Sequence, residues 1–195
     1  LIGVIGGRIV PSFTRNWQAR RGGPLPAVDG RFDIVTLAAT AAGLAAWSLA
    51  PAHPATGVLL LAAGGLNLLR LARWRGDATG AEPLVWILHL GYLWLAAGLV
   101  LTGLSSGAPG LVPPSVGVHA LTAGAIGVMT LAVMTRASRG HTGRPLAAGP
   151  VEVMIYGLVN AAALARVAGG LSPSAYQPLL MVSAALWSGA FLAFA

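Results

Sequence analysis

The chain of 195 residues contains no cysteine and no lysine, and only 9% of its residues are charged, against about 25% in a soluble globular protein. Without cysteine, disulfides, thiolate metal sites and thiol redox chemistry are excluded, so any metal would have to be held by His, Met, Asp, Glu or Tyr. Twelve basic and five acidic residues cannot cover the surface of a water-soluble domain of this size. That rules out soluble enzymes, disulfide scaffolds and disordered linkers. What the chain has instead is 56% hydrophobic residues and a mean hydropathy of +0.76, the composition of an integral membrane protein. The net charge of +7 does not point to nucleic acid, because every basic residue is Arg and they sit in short clusters between apolar runs, as membrane orientation requires. The first residue is Leu, inside an apolar stretch with no charged segment before it. No signal peptide is therefore expected, and the chain is expected to be one domain, residues 1–195, of a longer protein.

A helix needs roughly 20 mostly apolar residues to cross the hydrocarbon layer. Six runs meet that length, about 33–50, 56–71, 83–104, 116–135, 150–168 and 175–195, with residues 1–7 as the stub of a truncated span ending at Arg8. The expected fold is an all-α, polytopic transmembrane helix bundle of six spans plus that stub. Pro and Gly punctuate the runs at 51–54, 107–114 and 169–173, where helices cannot continue, and Ser115 and Ser174 are expected N-caps. Eleven of the twelve Arg fall in alternate connections, 8–31, 70–75 and 136–144, leaving Arg166 alone at the opposite edge. By the positive-inside rule the Arg-rich side is cytoplasmic. Trp47, Trp74 and Trp86 stand where an aromatic belt would place them, and Trp94 and Trp187 do not. Gly3, Gly7, Gly64, Gly65, Gly124 and Gly127 fit close helix packing, although a compositional bias toward Ala, Gly, Arg and Pro accounts for them equally well.

Polar residues inside a span are candidates for function or for helix–helix hydrogen bonds. His89 lies about six residues, roughly 9 Å, into its span. His119 enters from the other face, where His53 occupies a Pro-flanked turn; His141 lies with His89 toward the Arg-rich side. Each is either a donor to a neighbouring helix or a ligand of haem or copper, for which imidazole is suited, and the difference in depth argues against one iron shared by His89 and His119. Tyr92 and Thr122 follow His89 and His119 at i+3 and would orient them or share a cavity with them. Glu152, Tyr156 and Asn160, spaced i, i+4, i+8, form a polar stripe that is either a proton or small-molecule path or a hydrogen-bonded seam. Asn67 and Arg70 read as a snorkelling span end. Three Arg, a His and two Gly between Arg136 and Arg144 suit an anion such as a haem propionate or a lipid phosphate. The four Met are too scattered for a copper path and read as packing.

Several blocks together carry a family resemblance. They are Gly6-Gly-Arg8-Ile-Val-Pro11-Ser-Phe-Thr14, Leu88-His89-Leu-Gly-Tyr92-Leu-Trp94, His119-Ala-Leu-Thr-Ala-Gly124-Ala-Ile-Gly127-Val-Met-Thr130, and Met134-Thr-Arg136-Ala-Ser-Arg139-Gly-His141-Thr-Gly-Arg144. In that order, over about residues 3–166, the chain resembles the NnrS family of polytopic membrane proteins. The resemblance implies a bacterial inner-membrane protein of about twelve helices that binds haem and copper and is linked to denitrification and protection against nitric oxide. Arg8, Pro11, His89, Tyr92, His119, Arg136, His141 and Arg144 match the family pattern, while Ser12 stands where an aromatic is expected. The chain would be about half the family length, lacking the N-terminal half.

The leading expectation is thus a haem-binding membrane protein concerned with nitric oxide or nitrosylated iron. His89 and His119 are its first metal ligands and His141 and His53 the next; Arg136, Arg139 and Arg144 would meet propionates, with Tyr92 in support. Its partners would be the bilayer, haem and the missing N-terminal half or other membrane subunits, not nucleic acid. No nucleophile–base pair or carboxylate pair marks a catalytic centre. The competing readings are a cytochrome b-like electron-transfer subunit, a cofactor-free permease using the Glu152 stripe, and an accessory subunit of a respiratory complex.

Overall fold

The structure, a computed structural model, describes residues 1–108 and 110–195. Among these residues there is no strand. Seven helices follow one another: α1 (Ile2–Ala19), α2 (Gly30–Leu49), α3 (Pro54–Ala72), α4 (Pro83–Gly107), α5 (Pro114–His141), α6 (Pro150–Leu171) and α7 (Tyr176–Phe194). The last six are each long and apolar enough to cross a membrane, so the chain is a multi-pass membrane protein. Pro54, Pro83, Pro114 and Pro150 open four of them, at the position where a missing N–H costs nothing. Side chains before these prolines close the ends: His53 Nδ1 accepts the Ala55 N–H at 3.2 Å and Glu82 Oε1 accepts the Leu84 N–H at 3.0 Å.

Each spanning helix packs against the next, and α1 lies across α4. The centre is α4, whose Leu84, Ile87, Leu88, Tyr92 and Leu99 are fully buried. Its outer neighbours turn Ile34, Val35, Met181 and Leu192 outward, as lipid-facing surfaces require. Lipid is as apolar as these side chains, so association rests on close backbone approach rather than on burial of apolar area. At Gly57 of α3 a Cβ would come within 2.5 Å of the Gly107 backbone N and 2.9 Å of the Gly103 carbonyl. Gly64 meets Val100 and Ala96 in the same way, and Gly65 faces open space, so the packing role expected of that pair belongs to Gly64 alone.

The Arg-rich connections converge on one end. Gln18 Nε2 donates to the Ala78 carbonyl at 2.8 Å, Ala27 N to the Arg73 carbonyl at 3.0 Å, and Ala148 N to Glu82 Oε1 at 3.3 Å. Here the structure corrects three expectations. The N-terminal stub does not end at Arg8: α1 continues through Arg8, Pro11 and Arg15 to Ala19. Gly6, Gly7, Val10, Pro11, Thr14 and Gln18 recur at helical spacing and form its buried face, so Arg8 and Arg15 point outward and nothing forces the helix to stop. Ser115 and Ser174 do not cap, because Pro114 starts α5 one residue earlier and a 3₁₀ turn, Pro173–Ala175, precedes α7. Trp74 is not a belt residue. It is fully buried, with its ring edge-on to Tyr92 at 4.6 Å.

The crossing of α3 and α4 yields a test. Gly57→Ala forces two backbones apart and should destabilise by about 1–3 kcal/mol, a fall of several degrees in the midpoint of thermal unfolding followed by size-exclusion chromatography. Gly65→Ala should leave that midpoint unchanged.

Candidate functional site

Two polar centres lie inside the bundle. The first is an ion pair that the sequence reading did not contain. Arg70, read as a snorkelling residue, is instead 3% exposed. Its Nε donates to Asp33 Oδ1 at 2.8 Å, and its Nη1 donates to the Gly3 carbonyl and to Tyr92 Oη, each at 2.9 Å. Tyr92 Oη then donates to Asn67 Oδ1 at 2.6 Å, and Asn67 Nδ2 donates to Thr40 Oγ1 and the Ala63 carbonyl. The guanidinium also lies against the Gly7 backbone, where a Cβ would collide with it. Four helices are tied at one point with their polar groups paired, which is the condition under which a buried network stabilises. Opposite charges at the same end of the antiparallel neighbours α2 and α3 were the available sequence signal. Tyr92 is therefore spent on Arg70 and Asn67, and no hydrogen bond joins it to His89.

His89, 7% exposed, is held between α1 and the turn that links α3 to α4. Thr14 Oγ1 donates to the Val10 carbonyl at 2.8 Å and lies 2.8 Å from His89 Nε2, so with its own proton spent it accepts from Nε2–H. Nδ1 carries the lone pair, buried and without a partner. Gly76 covers it: a Cβ there would lie 2.7 Å from Nδ1. One nitrogen is bonded and the other roofed by backbone, so neither is open to an iron in this arrangement. The turn itself is held by Arg75, in the left-handed region at φ 55°, whose guanidinium meets Asp77 at 3.0 Å. That hydrogen bond keeps the Asp77 carboxyl below its ordinary range.

The second centre sits around a defect in α5. Residues Ala120–Ile126 form a π-helical segment directly after His119, a widening of the turn that sequence periodicity does not announce and that recurs at functional sites. Beside it lies an open cavity of about 560 Å³ between α5, α6 and α7, lined by His119, Thr122, Arg166, Ser183, Trp187 and Ser188 among others. Ser183 donates to the Ala162 carbonyl and Thr122 to the Val118 carbonyl. Among the described residues neither His119 nor Arg166 has a hydrogen-bond or ion-pair partner; Arg166 has only the Tyr176 ring, 6.0 Å away. Gly127 admits the Trp187 indole against the helix backbone. His119 and Thr122 thus share a cavity as their spacing suggested, and Arg166, set aside as an edge residue, joins them.

The remaining candidates go elsewhere. His53 is exposed and caps α3, and His141 is exposed at the end of α5. Arg136 lies 4.0 Å over the Phe13 ring. Arg139 Nε donates to Glu152 Oε1 at 2.6 Å, and Arg144 is exposed. Glu152, Tyr156 and Asn160 form a seam rather than an open path. Glu152 holds Arg139, Tyr156 bonds Thr135, and Asn160 Oδ1 accepts the Trp94 indole N–H at 3.0 Å.

A family model described as NnrS protein matches residues 1–195. The chain belongs to the NnrS family. No curated protein and no solved structure matches the chain. The NnrS resemblance brings haem and copper, and the donors present can be weighed against each. Copper is poorly served: among the described residues no group of three or more His, Asp or Glu side chains is placed to hold a metal ion. Haem asks less, because one imidazole suffices as an axial ligand, and the cavity offers one beside a cation suited to a carboxylate.

Removing one partner of a buried pair exposes its worth. Arg70→Met leaves Asp33 uncompensated and should cost about 3–5 kcal/mol; Asp33→Asn added to it should restore much of the loss. Thermal unfolding of the single and double variants distinguishes this from simple loss of packing, for which the double variant would fare no better.

Proposed function

We propose that this NnrS-family chain is a haem-binding protein of the bacterial inner membrane, concerned with nitric oxide, with its Arg-rich end in the cytoplasm. The observation that carries the reading is the pair of unpartnered groups, His119 and Arg166, on one cavity inside the membrane. An imidazole and a guanidinium left without partners in an apolar layer are costly, and a ligand bearing both an electrophilic centre and a carboxylate would satisfy them together. His119 would supply a nitrogen to the iron, Arg166 would hold a propionate, and Trp187 would give an apolar wall. Bound there, haem would supply a ferrous centre with affinity for nitric oxide. Thr122 and Ser188 add hydroxyls to the lining. Of the two expected first ligands, His89 and His119, the assignment keeps His119. His89 is left with a positioning role, holding α1 and the turn at residues 76–79 in place.

The stripe at Glu152 gives the permease reading no support, because its side chains are consumed by Arg139, Thr135 and Trp94. The cytochrome b-like reading needs two imidazoles at one depth. His89 is enclosed near the Arg-rich end, and His119 borders the cavity beyond the π-helical segment.

The test is the absorption spectrum of purified, haem-replete protein, oxidised, reduced with dithionite and then exposed to nitric oxide. A Soret band that shifts with nitric oxide is expected for the unaltered protein and for His89→Ala, and its loss is expected for His119→Ala. Arg166→Leu should keep the band but release haem more readily, by roughly ten- to hundredfold for a charged hydrogen bond of about 1.5–3 kcal/mol. A featureless spectrum from the unaltered protein, or a band lost in His89→Ala and kept in His119→Ala, overturns the assignment.

A further inference from the structure

A second cavity, of about 450 Å³, opens at the Arg-rich end where α5 ends and α6 begins, far along the bundle from His119. Its rim is Ser138, Arg139, Thr142 and Arg144, and its floor is Ile155 and Phe194. The turn that builds the rim is fixed by backbone geometry. Gly143 takes φ 69°, and the Arg144 N–H donates back to the Arg139 carbonyl at 3.0 Å. This is the closed helix end that an αL glycine permits, and it brings Arg144 back over the hydroxyls of the last helical turn.

Among the described residues Arg144 has no anion of its own. Four of the five acids are committed to other arginines: Asp29 to Arg73, Asp33 to Arg70, Asp77 to Arg75 and Glu152 to Arg139. The fifth, Glu82, is buried and accepts the N–H groups of Leu84 and Ala148. Glu152, which also borders the cavity, is neutralised by Arg139 and by the Gly149 N–H. A cationic, hydroxyl-bearing rim above an apolar floor, at the level where a spanning helix leaves the bilayer, has the chemistry of one ligand class. We propose that this cavity is a binding site for an anionic phospholipid, the phosphate held by Arg144 with the Ser138 hydroxyl and an acyl chain lying against Ile155 and Phe194. Arg31, exposed and in no ion pair among the described residues, lines neither this cavity nor the one at His119. Basic pockets between spanning helices on the positive side suit such headgroups.

Native mass spectrometry of the full chain released from nanodiscs tests it, with palmitoyl-oleoyl phosphatidylglycerol and the corresponding phosphatidylcholine as probes. Phosphatidylglycerol should be retained preferentially, and Arg144→Gln should cut that preference about fivefold, the worth of one arginine at an anionic surface. Ser138→Ala, which leaves the charge in place, should cut it as well. Arg31→Gln should not. Equal retention of the two lipids, or equal loss in Arg31→Gln and Arg144→Gln, would show only diffuse attraction and overturn the site. Displacement of the lipid by millimolar inorganic phosphate would show a free-anion pocket and overturn the lipid assignment.

Discussion

In an apolar solvent an unpaired charge is the largest single penalty a helix can carry, and the arrangement around Arg70 is the answer to that constraint. The guanidinium takes a carboxylate from α2, a carbonyl from α1 and a phenol from α4, and each of these is bonded onward or shielded. Three consequences follow from it. α1 must cross α4 with Gly7 toward the guanidinium, because any side chain there would collide with it. α2 must sit at the depth that brings Asp33 to Arg70. Tyr92 must turn its hydroxyl away from His89, which leaves His89 to Thr14 and to the roof formed by Gly76.

With that end fixed, the rest of the bundle adjusts through small residues. Gly57 and Gly103 let α3 and α4 touch backbone to backbone, Gly98 and Gly117 do the same between α4 and α5, and Gly124 and Gly127 receive the faces of Trp94 and Trp187. The π-helical turn at residues 120–126 takes the Trp94 contact at Gly124 and lies between the close approach of Gly117 to Thr102 and the Trp187 contact at Gly127. His119 stands directly before this widened stretch and borders the cavity. Stability at the Arg-rich end thus makes room for an imperfect, accessible region toward the other end.

The spans, their number and the convergence of the arginines were legible in the sequence, because length, hydropathy and charge alternation are local quantities. So was the pairing of His119 with Thr122, an i+3 relation within one helix. What was not legible depends on two helices at once. Nothing in the run around Arg70 says that it points inward, and only the facing Asp33 and the Gly7 notch make burial tolerable. His89 looked as open as His119 until the turn at Gly76 closed over it. Arg8 was read as a stop because charge usually ends a span; the alternation of small and polar residues from Gly6 to Gln18, visible in retrospect, marks a helix with one exposed face. The π-helical turn has no periodic signature at all, since Ala120–Ile126 is an apolar run equally suited to α-helix.

The distribution of acids explains why the two ends behave differently. All five lie at the Arg-rich end, where four form ion pairs and convert a cluster of like charges into a linked framework. The opposite half has no carboxylate, so Arg166 finds no anion on its own chain. A cation placed there by chance would be expected to drift toward the headgroups, as long basic side chains do. Arg166 instead borders the same cavity as an unpartnered imidazole. Both border one space large enough for a sizeable ligand, and the proposed haem would engage both. The same reasoning separates Arg166 from Arg136, which is satisfied by the Phe13 ring, and from Arg139, which is satisfied by Glu152. Under the proposed function, what would distinguish a binding residue from a framework residue is not its charge or depth but whether the chain itself supplies its counterpart.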